Sequence, residues 1–129
     1  PLELGNPDSI GLVGKLSEPQ TAAEFSAHIA QVLGREPLLI EGGDHPIHSV
    51  GWCTGGAQGY IEKAIAQGLD AFISGEVSEP TFHAARENGI HYIAAGHHAT
   101  ERYGAQAMGE ALANEFGLEH RFIDINNPV

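Results

Sequence analysis

The run His91-Tyr92-Ile93-Ala94-Ala95-Gly96-His97-His98-Ala99-Thr100-Glu101-Arg102 holds the signature of an α/β architecture. Its first five residues are a short apolar stretch that reads as a buried strand. Apolar residues then recur at helical spacing: Tyr103, Ala107, Met108, Ala111, Leu112 and Phe116, with Gly117 as the stop. A strand therefore hands over to a helix at Gly96. In open α/β sheets that junction, outside the carboxyl end of a strand, is where ligands collect. His97 and Glu101 stand four residues apart. If the helix has begun there, both side chains share one face and reach a common point. An imidazole nitrogen and a carboxylate so placed suit a transition metal such as zinc, iron or manganese. Spacing alone leaves a second reading open: a helix start with an acid favoured by the helix dipole and solvated histidines.

The same alternation recurs upstream. Asp70-Ala71-Phe72-Ile73-Ser74 reads as a strand, followed by a Gly75-Glu76-Val77 turn. A helix then opens at Ser78, carries Pro80, Phe82 and Ala85, and closes at Asn88-Gly89. Glu76, Glu79 and His83 lie near the end of that strand and are further candidates for the crevice, beside a plainer reading as helix-start acids and a surface histidine. Ile47 to Trp52 reads as a strand, and Cys53-Thr54-Gly55-Gly56 as a turn into a helix with Ile61, Ala64 and Ile65, stopped by Gly68. Such a turn can nest an anion on its amides, or simply connect strand to helix. It lacks the lysine of a phosphate-binding loop.

Upstream, Ile10 to Leu16 reads as a strand ended by Ser17-Glu18-Pro19. Thr21 and Glu24 form a capping box, opening a helix with Phe25, Ile29, Val32 and Leu33 on its core side and Gly34 at its end. Leu38-Leu39-Ile40 is a short strand, and Gly42-Gly43-Asp44 a turn that predicts a hairpin over residues 38–52. Pro1 to Pro7 reads as a strand stub and turn. Arg121 to Ile125 reads as a last strand before Asn126-Asn127-Pro128. The pattern is α/β: a mixed sheet with helices packed on it, parallel from residue 47 onward.

The 129 residues suffice for one domain with a real core. Six Lys and Arg stand against 17 Asp and Glu, a net charge of −11. That excludes non-specific binding to a phosphate backbone, and an anionic substrate would need a metal or backbone amides. No apolar run approaches the ~20 residues of a membrane helix. One cysteine, Cys53, forbids an internal disulfide and fits a cytoplasmic protein. A small buried residue is its expected state, a nucleophile the alternative. The chain opens at Pro1, which reads as processing or as an excerpt of something longer.

Three segments taken together resemble one family: Val50-Gly51-Trp52-Cys53-Thr54-Gly55-Gly56, Asp70 through Glu79, and Ala94 through Arg102. The ending Phe122-Ile123-Asp124-Ile125-Asn126-Asn127-Pro128 adds to them. In order and spacing they are similar to the GTP cyclohydrolase 1 type 2 homologs, close to enterobacterial members, over about residues 10 to 128. The resemblance implies one half of a two-domain, dinuclear-metal fold that assembles into toroidal hexamers, with this chain its C-terminal portion. It makes His97 and Glu101 two of the metal ligands. The others, a His-His pair and an Asp, would belong to an N-terminal half. His98 matches no ligand position. The implied cofactors are divalent ions (zinc, iron, manganese or magnesium), two per complete site. The implied function is a metal-dependent hydrolase with a small-molecule or nucleotide-like substrate, the alternative a non-enzymatic metal-binding or oligomeric scaffold.

Overall fold

A computed structural model describes residues 4–129; the expected strand stub at the start falls partly on residues outside these. Five strands form one sheet: β1 (Leu12–Gln20), β2 (Leu38–Ile40), β3 (Ile47–Cys53), β4 (Ala71–Ser74) and β5 (His91–Ala94). Four helices join them: α1 (Ala22–Leu33), α2 (Ile61–Ala66, preceded by a 3-10 turn at Gln58–Tyr60), α3 (Glu79–Asn88) and α4 (His97–Phe116). The strand order is β1-β3-β4-β5-β2. The centre, β3-β4-β5, is parallel, and both edge strands run antiparallel to their neighbours. The mixed α/β sheet expected from the sequence is thus present.

Alternation along the central strands sorts the core into two layers. Ala71, Ile93 and the half-buried Ile73 pack with Phe25 and Ile29 of α1 on one face. Phe72, Tyr92 and Ala94 pack with Ile61 and Ala64 of α2 and Ala85 of α3 on the other. A sheet covered on both faces buries its middle strands on both sides, and β5 is buried throughout, including His91, whose ring meets the Gly42 N–H and the His45 carbonyl.

Several expectations fail for physical reasons. No hairpin spans residues 38–52. β2 crosses to pair with β5, Leu39 opposite Ile93, while β3 pairs with β1 and β4. Gly42 sits against the Ile90 backbone, where a Cβ would collide, and its N–H donates to His91 Nδ1 at 3.3 Å. β1 runs on through Pro19 to Gln20 with an irregular register; as an edge strand it loses no ladder bond to a proline. Residues 121–125 form no strand, and Ile123 and Ile125 are exposed. Phe82 is 48% exposed; α3 buries Thr81 and Ala85 instead. Val32 also faces outward. Most of the apolar stripe of α4 is uncovered: Tyr103, Met108, Leu112 and Phe116 are all exposed, and only Ala99 of that helix is buried.

Candidate metal centre

Three parallel strands end side by side, and a glycine follows each within two residues. Gly75 N–H donates to the Gly55 carbonyl at 2.9 Å, and Gly96 N–H to the Gly75 carbonyl at 3.0 Å. The ladder thus continues past the strands as bare main chain. Gly55 has φ +65°, and a Cβ there would strike the Glu101 carboxylate and approach His97 Nε2 to 3.1 Å. Gly96 has φ +99° and leads into α4 with no side-chain cap. Thr100, one turn on, accepts the Gly55 N–H at 3.0 Å through its hydroxyl, tying the β3 loop to α4.

His97 and Glu101 meet on this floor. The helix has begun at His97, so the pair shares a face, and Nε2 of His97 lies 3.1 Å from a Glu101 oxygen. The other ring nitrogen, Nδ1, lies 2.6 Å from Oε1 of Glu76. Glu76 follows β4, the parallel neighbour of β5, which brings a residue 21 positions upstream onto the same imidazole. The Glu76 hydrogen bond holds the His97 pKa above the ordinary imidazole value; partial desolvation opposes it and the Glu101 charge adds to the rise. All three side chains are accessible, His97 at 39%.

The remaining candidates lie elsewhere. Glu79 is an exposed first-turn acid of α3, and His83 is exposed, its ring edge-on to Phe82. His98 points to the chain's last segment, with Nε2 2.9 Å from Asp124 Oδ1. Arg102 donates to the other Asp124 oxygen at 3.0 Å and also binds the Leu33 carbonyl. Cys53 is buried; desolvation, helped by the Glu101 charge, pushes its thiol pKa up, the opposite of an activated nucleophile. The Gly55 amide is spent on Thr100, and that of Ala57 on the Gly55 carbonyl and Ser74 Oγ, which leaves little of an anion nest. A hollow of about 760 Å³ opens over His97 and Glu101, walled by Arg102, Phe122, Ile125 and Asn127. A separate apolar groove of about 590 Å³ lies between α1 and α4, lined by Ile29, Val32, Trp52, Ile73 and Tyr103.

The model of the Duf34/NIF3 (NGG1p interacting factor 3) family matches residues 3–128. The chain belongs to the Duf34/NIF3 family. It is 62% identical over 129 residues to a GTP cyclohydrolase 1 type 2 homolog of Pseudomonas aeruginosa, covering all of this chain and 51% of that protein. It is 56% identical over 130 residues to the protein of the same name from Haemophilus influenzae, with 100% and 51% covered. Among solved structures it is similar to protein ybgI, described as of unknown function, with a TM-score of 0.89, 45% identity and coverage of 99% and 51%. Reduced HcgD from Methanocaldococcus jannaschii shares the fold at a TM-score of 0.75 and 20% identity, over 91% of this chain and 47% of that one. The chain spans about half the length of the curated relatives it matches.

The donors in this Duf34/NIF3 chain fit part of a metal site. One nitrogen and one carboxylate converge above a floor that a Cβ would fill. Among the described residues, no three His, Cys, Asp or Glu side chains gather around one metal position. A closed or catalytic metal site takes three or four protein donors.

Proposed function

We propose that this chain supplies one side of a two-cation centre in a metal-dependent, hydrolase-like protein, with the remaining donors coming from outside the chain. The observation that carries the reading is the pairing of His97 Nε2 with Glu101 at 3.1 Å, at the mouth formed by the parallel strand ends. His97 and Glu101 would hold the cations. Zinc, iron, manganese and magnesium all accept a carboxylate, and the imidazole favours the first three. Bound divalent metal supplies Lewis-acid activation of water and of a substrate carbonyl or phosphate. Glu101 offsets cationic charge, while Arg102 and the 122–127 segment wall the hollow a substrate enters.

The substrate class is a small, nucleotide-like heterocycle. The relatives' name supports GTP-like chemistry, and a chain of net charge −11 receives an anionic substrate best where cations have collected. The uncovered apolar stripe of α4 supports a homo-oligomer in the intact protein, a hexamer on the family resemblance. A single buried cysteine and the absence, among the described residues, of a helix long and apolar enough to cross a membrane accord with a cytoplasmic setting.

The test uses the full-length, metal-loaded protein incubated with GTP, with formate release and ring-opened product as the readout. Turnover that disappears on chelation supports the hydrolase. Full metal occupancy without turnover on any common divalent ion assigns the alternative, a non-enzymatic metal-binding scaffold. Glu101→Gln keeps the size of the side chain and removes its charge. It is expected to lose one metal or both by elemental analysis, and unchanged metal content would return Glu101 to a helix-start role.

A further inference from the structure

The imidazole of His97 carries two carboxylates, and only one of them sits where a ligand pair needs it. Glu76 approaches from the opposite edge of the ring, 2.6 Å from Nδ1. It is itself held at three points. Its backbone carbonyl accepts the hydroxyl of Tyr92, a side chain with no exposed surface. Its Oε1 faces His97, and its Oε2 receives the Gln58 amide at 3.4 Å. Gln58 Oε1 is buried with no partner among the described residues. An orphaned acceptor of this kind is unfavourable, and here it belongs to the side chain whose amide steadies Glu76. Gly56 keeps the approach open, since a Cβ there would come within 3.3 Å of the Glu76 carboxylate.

The floor beneath the ring cannot orient it. Gly55, whose missing Cβ would lie 3.1 Å from Nε2, presents no side chain to the ring, Gly75 abuts His97 only at its backbone, and His97 is 39% exposed. An imidazole about its χ2 torsion has a broad, roughly two-fold preference, so packing of this kind leaves both nitrogens free to exchange places. Hydrogen bonds must choose between them, and a carboxylate behind one nitrogen of a ligating histidine fixes which nitrogen faces forward.

We propose that Glu76 is the positioning residue of this site: it holds the Nδ1 edge of His97 so that Nε2 faces Glu101, and by doing so sets how tightly the pair takes a divalent cation. This rests on the metal reading above and adds a third, non-ligating residue to it.

The experiment compares wild-type full-length protein with Glu76→Ala, Glu76→Gln and Glu76→Asp. Zinc affinity is measured by competition with a chromogenic chelator, and the His97 ring N–H is followed in metal-free, histidine-labelled protein by nitrogen-resolved NMR. Glu76→Ala is expected to weaken zinc binding about 10- to 100-fold and to lose the exchange-protected Nδ1–H signal. Glu76→Gln keeps an acceptor oxygen at the same reach and recovers most of both. Glu76→Asp keeps the charge but falls short by a methylene, and is expected to resemble Glu76→Ala; it carries the same test should the alanine variant fail to fold. Wild-type zinc uptake with undiminished affinity in the Ala and Asp variants overturns this inference alone. No zinc uptake by the wild-type protein overturns both this inference and the metal reading beneath it.

Discussion

Gly55 shows how closely one residue can be bound to the site. Its φ of +65° is the left-handed region, and the space above its Cα is taken by Glu101 and His97. Gly55→Ala therefore meets two penalties, a backbone cost of about 1–3 kcal/mol and a methyl group pressed against the Glu101 carboxylate. The expected outcome is a measurable drop in thermal midpoint together with loss of bound metal from the full-length protein, read by calorimetry and elemental analysis. A variant that kept full metal content would show that the carboxylate can move away without consequence. At this same scale the sequence was only partly informative. His97 and Glu101 lie one helical turn apart, so their meeting follows from spacing. Glu76 was one of two acids near a strand end, with His83 beyond them, and nothing in its neighbours separates it from Glu79. What separates them is the adjacency of β4 and β5, a long-range property that no local pattern encodes.

Among the elements, the β3–β4 junction is fastened by Asp70. Its carboxylate accepts the N–H of His48 at 3.0 Å, the N–H of Ser49 at 2.7 Å and the Ser49 hydroxyl at 2.8 Å. Partial burial pushes the Asp70 pKa up, but the Ser49 and His48 hydrogen bonds and the His48 charge outweigh it, and the net shift is downward. A carboxyl whose folded pKa lies below its unfolded value of about 3.9 stabilises the fold above that value. The contribution is lost as pH falls through the lower, folded pKa. Asp70→Asn is expected to lower unfolding free energy at pH 7 by about 1–3 kcal/mol. Below about pH 4 its stability should fall less steeply than that of the wild type, as urea titrations at a series of pH values would show. Helix ends were legible from single residues: the Thr21–Glu24 capping box and the left-handed glycines at 34, 89 and 117 all lie where local chemistry puts them. Strand partners were not. The Gly42-Gly43-Asp44 turn carries local marks of a hairpin, yet β2, three residues long, pairs with β5. Pro19 failed as a strand stop because its effect depends on whether the strand lies at an edge.

For the molecule as a whole, the helical spacing of α4 was readable, but a periodic apolar stripe says only that something should cover it. In this chain nothing among the described residues does so at Tyr103, Met108, Leu112 and Phe116, and Ile123 and Ile125 add to the exposed apolar surface. Surfaces of this kind bind hydrophobic dyes or drive association. The isolated chain is expected to enhance anilinonaphthalene sulfonate fluorescence strongly. A Leu112→Glu, Phe116→Glu double variant should reduce that signal severalfold with an unchanged far-ultraviolet circular dichroism spectrum. Equal dye binding by both would place the sticky surface elsewhere. The glycine ridge beneath His97 carries a different implication, one about inheritance. Because a Cβ at Gly55 would strike Glu101 and one at Gly75 the His97 backbone, side-chain replacement there has almost no room to act, and divergence in what the hollow admits falls to its walls, at Arg102 and along residues 122–127. Two relatives could thus keep an identical seat and welcome different guests.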